Sequence, residues 1–186
     1  ISPSVVTEID TLFTLTVNGN NFIPSSVITI QGLQVTTNYI SPTQLTYDLS
    51  YVPSVGTYSV AVINPGPGGG TSNSQTLAVN HPVPTTTSIS PASKTAGDAS
   101  FTITVNGTNF IPSSGVTFNG SPRATTYVSS TKVTATILSA DLAYIGSFNI
   151  KVVNPTPGGG ASNSQTFTVN NPVPTTTSVS PSFIVV

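Results

Sequence analysis

Few residues in this chain are equipped for chemistry. It holds one histidine, His81, and five carboxylates, Glu8, Asp10, Asp48, Asp98 and Asp141, beside four cations, Lys94, Arg123, Lys132 and Lys151. Hydroxyls are abundant, with 31 Thr and 26 Ser in 186 residues. A hydroxyl becomes a nucleophile only when a base, itself oriented by a third group, takes its proton. His81 is the only imidazole available for that task, and it sits beside Pro82. Its counterpart in a second copy of the same stretch is Asn171, so the position works without an imidazole, and His81 reads as a solvated linker residue. Paired carboxylates for glycoside chemistry would come from Glu8, Asp10 and Asp48 or from Asp98 and Asp141, and only Asp10 and Asp98 are equivalent positions. Glu8 and Asp10 with nearby carbonyls are a conceivable Ca²⁺ site, but two carboxylates are a thin set. The expectation is no catalytic, cofactor-binding or metal-binding residue, and no enzyme.

Other signals weigh the same way. Gly68-Gly69-Gly70 and Gly158-Gly159-Gly160 lack the Lys-Ser/Thr and the helix that a phosphate cradle needs, so they read as turns. Two sequons, Asn106-Gly107-Thr108 and Asn119-Gly120-Ser121, make Asn106 and Asn119 possible glycan acceptors, with plain turn chemistry as the default. A formal charge of −1, from 5% charged residues, gives nucleic acid no cationic face and a membrane surface no polybasic stretch. The longest clean apolar run, Phe183 to Val186, is far short of the roughly twenty residues of a membrane span. No signal peptide is read in the chain. Absence of Cys and Met, with low charge and much Thr and Asn, suits an exposed extracellular protein of a microbe.

The elements that carry these residues follow from an internal repeat. Ile1-Ser2-Pro3 returns as Ile89-Ser90-Pro91 and again as Val179-Ser180-Pro181. Asn64-Pro65-Gly66-Pro67-Gly68-Gly69-Gly70 returns as Asn154-Pro155-Thr156-Pro157-Gly158-Gly159-Gly160. The offset grows from 88 to 90, which places a two-residue insertion around Ser139 to Tyr144. Within each copy apolar residues alternate with polar ones. Phe13, Leu15 and Val17 are matched by Phe101, Ile103 and Val105, and Tyr58, Val60 and Val62 by Phe148, Ile150 and Val152. Period two marks strands with one buried face. Asn18-Gly19 and Asn106-Gly107 follow strands and read as positive-φ turn positions. About seven short strands per copy predict an all-β chain of two sandwiches, residues 1–88 and 89–178, with 179–186 opening a third.

The opening Ile-Ser-Pro, the Val105-Asn106-Gly107-Thr108-Asn109-Phe110 strand end, and Val153-Asn154-Pro155 before the Gly-rich turn resemble the IPT/TIG family of immunoglobulin-like domains. The first copy carries the same elements. That resemblance implies tandem immunoglobulin-like β-sandwiches, as in arrays of bacterial surface and secreted proteins, and says little about function, since the domain serves many roles.

The linker His81-Pro82-Val83-Pro84-Thr85-Thr86-Thr87-Ser88 recurs as Asn171-Pro172-Val173-Pro174-Thr175-Thr176-Thr177-Ser178. Alternating Pro stiffens a chain, so the two domains are expected end to end, as in a rod. The function expected is a non-catalytic extracellular structural segment (stalk, filament or adhesin) on a prokaryotic surface. Its expected partner is itself, with surface proteins or glycans as others, and neither nucleic acid nor direct membrane insertion. The alternative is a carbohydrate- or protein-binding accessory module of a secreted enzyme or receptor, for which Tyr51 and Tyr144 are the candidate aromatics. An apolar ending formed by Val179, Phe183, Ile184, Val185 and Val186 is a candidate inter-subunit strand. Because residues 1–7 already supply the equivalent strand in the first copy, a donated strand is expected to need another edge or to displace it.

Overall fold

The computed structural model describes residues 1–10, 13–49, 51–178 and 180. The candidate inter-subunit residues Val179, Phe183, Ile184, Val185 and Val186 lie outside them. By density of contacts the chain forms two compact units. Ile1–Pro84 together with Val153–Ser162 is one, and Thr85–Val152 with the chain from Asn163 onward is the other.

In the first repeat the strands are β1 Val5–Thr7, β2 Phe13–Asn18, β3 Val27–Ile30, β4 Leu33–Gln34, β5 Asn38–Ser41, β6 Gln44–Leu49, β7 Gly56–Asn64, β8 Gly70–Thr71 and β9 Gln75–Asn80. One sheet has the order β1-β9-β7-β3-β4, with β8 on β7, and the other has the order β2-β6-β5. The β1–β9 pair is parallel and the rest are antiparallel. Alternate residues of both sheets turn inward as the period-two pattern demands, and Leu15, Ile28, Leu45, Val60, Leu77 and Val79 are buried in one core.

In the second repeat they are β10 Thr85–Ser90, β11 Ser93–Thr95, β12 Phe101–Thr108, β13 Gly115–Phe118, β14 Ser121–Arg123, β15 Thr125–Ser129, β16 Lys132–Ile137, β17 Gly146–Asn154, β18 Gly160–Ala161 and β19 Gln165–Asn170, with a 3₁₀ turn at Ser139–Leu142. Its sheets run β10-β12-β16-β15 and β11-β19-β17-β13-β14, with β18 on β17. Ile103, Val105, Phe110, Ile137, Leu142, Ile150 and Phe167 are buried in its core. Phe101 and Phe118 each pack against Phe167, with ring centroids 5.7 and 6.0 Å away. The expected seven strands per copy are exceeded because two- and three-residue ribbons, such as β4, β8, β14 and β18, are too short to show periodicity.

One local expectation is corrected. Asn18-Gly19 and Asn106-Gly107 are not the positive-φ turns. Asn18 ends β2, Asn106 and Gly107 lie inside β12, and the left-handed positions include Asn21, Asn109, Gln31-Gly32 and Asn119-Gly120. Glycine is required at Gly107 for space. A Cβ there would stand 1.9 Å from the Thr85 carbonyl oxygen and 2.6 Å from the Phe110 ring. The opening of the first repeat follows the second where the two align: Ser2 bridges Thr16 as Ser90 pairs with Thr104, and β1 lies parallel to β9 as β11 lies parallel to β19.

Gly107→Ala is expected to cost about 2 kcal/mol through overpacking, lowering the melting temperature of the second unit by about 10 °C. Gly115→Ala, at a position with no neighbour within 4 Å of a Cβ, serves as the control and leaves it nearly unchanged. Differential scanning calorimetry of both variants checks this.

Candidate functional site

The carboxylates come first, since any site would draw on them. Asp10 closes the turn after β1. It accepts hydrogen bonds from the Thr7 amide at 2.7 Å and the Thr7 hydroxyl at 2.8 Å, while its own N–H donates to the Thr7 carbonyl. Asp98 does the same after β11, accepting from the Thr95 amide at 3.0 Å. Their equivalence therefore reflects a shared turn. Asp48, on β6, accepts from Thr14 and Asn38 on the two flanking strands.

Glu8 and His81 change the sequence reading. Glu8 Oε1 lies 2.7 Å from His81 Nδ1, and both side chains are largely covered. His81 is thus a partner of β1's end and not the solvated linker residue expected. Sequence separation of 73 hides the pair, which only the parallel β1–β9 pairing brings together. With Glu8 facing His81 and Asp10 facing Thr7, the two carboxylates do not converge as a Ca²⁺ site would require. Among the described residues no three of His, Cys, Asp and Glu lie together as metal ligands.

A cleft of about 210 Å³ opens in the second repeat beside the inserted 3₁₀ turn. Arg123, at the end of β14, donates through Nε to Asp141 at 2.8 Å and through a second nitrogen to the other oxygen of the same carboxylate. Its third nitrogen donates to the carbonyls of Ser121 and Pro122. Asp141 also accepts from the Leu138 amide at 2.9 Å and so caps the turn. The guanidinium stands over the Phe118 ring, which stacks on Phe148 at 5.0 Å. Tyr144, 78% exposed, completes the rim. In the first repeat the alignment puts Val35 at the place of Arg123, and the two-residue insertion is missing. Sequence reasoning registered Arg123 only as a scattered cation. The insertion at Ser139 to Tyr144 was the available signal.

Of the two sequons, Asn119 sits at the exposed β13–β14 turn with φ +48°. Asn106 lies in β12, its amide donating to the Ser88 hydroxyl at 3.0 Å. Tyr51, the other candidate aromatic, is 75% exposed.

Two sandwiches of one sheet plan, each opening on a Ser-Pro pair and closing through a Pro-Gly hairpin, agree with the family match, which is the IPT/TIG domain at residues 1–79 and 84–169. The chain belongs to the IPT/TIG family. Structural likeness extends to a Bacteroides ovatus surface protein of a mixed-linkage glucan utilization locus, SGBP-B, solved with a heptasaccharide. It is 21% identical with TM-score 0.34, covering 92% of this chain and 44% of that one. It extends also to the plexin A4 extracellular region, 16% identical with TM-score 0.38, covering 91% and 17%. An amphioxus IgVJ-C2 molecule is 18% identical with TM-score 0.44, covering 88% and 100%. This tandem IPT/TIG chain thus spans less than half the length of the first two. A search of curated protein sequences finds no match.

Within the second IPT/TIG domain the Arg123–Asp141 pair is largely buried, so removing one partner strands the other. Arg123→Met keeps the apolar stem over Phe118 and is expected to cost about 2 kcal/mol. Adding Asp141→Leu is expected to cost less than the sum of the two single changes. Urea titrations of the double-mutant cycle measure both terms, and additive losses would deny the coupling.

Proposed function

We propose that this chain is a non-catalytic structural segment of an extracellular microbial surface protein, part of a stalk, filament or adhesin. We take its domains as residues 1–88 and 89–178. The observation that carries the reading is the outward face of the sandwich. The register aligns Ser90, Thr104, Thr134 and Thr126 in one row across β10, β12, β16 and β15. The first repeat carries Ser2, Thr16, Thr46 and Asn38 in the matching row. Hydroxyls and amides, most of them on Thr, whose β-branched side chain suits strands, hydrate such a face without depending on pH or salt. The carboxylates, meanwhile, are held in turns and pairs. Such a design supports exposure to an uncontrolled medium. Where the host glycosylates sequons, Asn119 is the acceptor to expect, being at a turn tip.

The cleft at Tyr144 favours one second reading, a saccharide-binding module. An exposed aromatic beside a fixed guanidinium–carboxylate pair offers stacking together with hydrogen bonding.

Antibodies raised against the chain are expected to label intact, unpermeabilised cells of the source organism or its culture medium. Labelling that appears only after lysis overturns the extracellular reading. Oligosaccharide binding that disappears in Tyr144→Ala would transfer preference to the second reading.

A further inference from the structure

The cleft beside the 3₁₀ turn brings together polar groups that the fold does not saturate. Arg123 carries five N–H donors in a planar fork. Nε and one Nη2 hydrogen go to Asp141, and Nη1 donates to the carbonyls of Ser121 and Pro122. One Nη2 hydrogen remains. Asp141 Oδ2 accepts from both Arg123 Nε and the Leu138 amide, while Oδ1 accepts from Arg123 Nη2 alone among the described residues. A spare donor and a spare acceptor therefore stand side by side on one rigid pair, whose side chains are 12% and 11% exposed and line the cleft.

The rest of the lining narrows what can enter. Asn119 and Ser121 present side chains that make no hydrogen bond among the described residues. Phe118 and Phe148, stacked at 5.0 Å, supply an apolar wall, and the exposed Tyr144 ring stands at the rim. The lining holds one guanidinium and one carboxylate, paired with each other, and no other Lys, Arg, Asp, Glu or His. Its volume, about 210 Å³, lies below the roughly 300–1,000 Å³ of pockets that enclose drug-sized molecules, so it seats one ring.

We propose that this cleft binds a single uncharged pyranose ring, read through two neighbouring hydroxyls by the Arg123–Asp141 pair. One hydroxyl oxygen accepts the remaining Nη2 hydrogen, and its neighbour donates to Oδ1, so a vicinal diol closes both bonds at once. Tyr144 covers the apolar C–H face of the ring. An amide closes the same two bonds but brings no ring face for Tyr144 to cover. The carboxylate of an acidic sugar has to compete with Asp141 for a guanidinium that is already paired, which sets the cleft against charged rings. The site belongs to the second repeat, since Val35 stands at the place of Arg123 in the first and the two-residue insertion is missing. The proposal rests on the saccharide-binding reading and narrows it to one domain, one ring and no charge.

Titration of the isotope-labelled full chain with the methyl glycosides of glucose, galactose and mannose, followed by heteronuclear NMR, tests it. At least one is expected to bind with Kd of about 1 mM, the weak end of specific recognition, and to shift the Arg123 Nε–H together with the amides of Gly120 and Ser121. Glucuronate and galacturonate are expected to bind about tenfold more weakly. Tyr144→Ala leaves the ion pair in place and is expected to weaken the neutral sugar about fivefold. Tyr51→Ala, which removes the exposed ring of the first repeat, is expected to change nothing. Asp141→Asn unpairs the guanidinium and is expected to turn the preference toward the uronates; where that variant loses the dispersion of its spectrum, the two tyrosine variants decide. Uronates that bind the unaltered chain as tightly as the neutral sugars, or shifts confined to residues away from the cleft, overturn the proposal and leave the saccharide-binding reading standing. A Tyr144→Ala variant that binds undiminished overturns it as well. So does a failure of every sugar to bind, whereas the broader saccharide-binding reading falls only if oligosaccharides fail too.

Discussion

Each sandwich depends on one constraint, that strands of the two sheets turn alternate residues into a shared core with no covalent help. The chain has no cysteine, so the immunoglobulin-like plan is held here by core packing and strand pairing without a disulfide. Everything polar has to be arranged around that. No buried side-chain nitrogen or oxygen lacks a partner among the described residues. The solution recurs in small units, a Ser or Thr hydroxyl or an Asn amide spent on a nearby backbone group. Ser26 and Ser114 each accept the amide three residues before them, and Thr37 and Thr125 each take a strand amide nine residues back. Part of the abundance of Ser, Thr and Asn serves these margins, since a short hydroxyl completes one at little cost in side-chain entropy.

What the sequence discloses follows from the range of the interaction. The alternation that buries Leu15, Val17, Ile103 and Val105 is local and could be read directly. The repeat was legible because copies of a domain preserve their turns and cores together. Turn geometry was less so. Asn-Gly reads as a positive-φ turn, yet at Asn106-Gly107 the glycine answers to Phe110 and the Thr85 backbone, which only the fold brings near. His81 with Glu8 and Arg123 with Asp141 were illegible for the same reason. Each pair is set by strand order, and neither partner is marked by its neighbours in sequence.

The same contrast separates the two repeats as structures. The second domain has a stacked set of rings, Phe118 on Phe148 and Phe101 on Phe167, edged by Lys94 and Arg123. At the aligned positions the first has Ile30, Tyr58, Phe13 and Leu77. Aromatic stacking with cations at the ends adds directional contacts beyond area. The insertion that builds the Ser139–Leu142 turn is tied down by Asp141, so it adds a cleft without loosening the core.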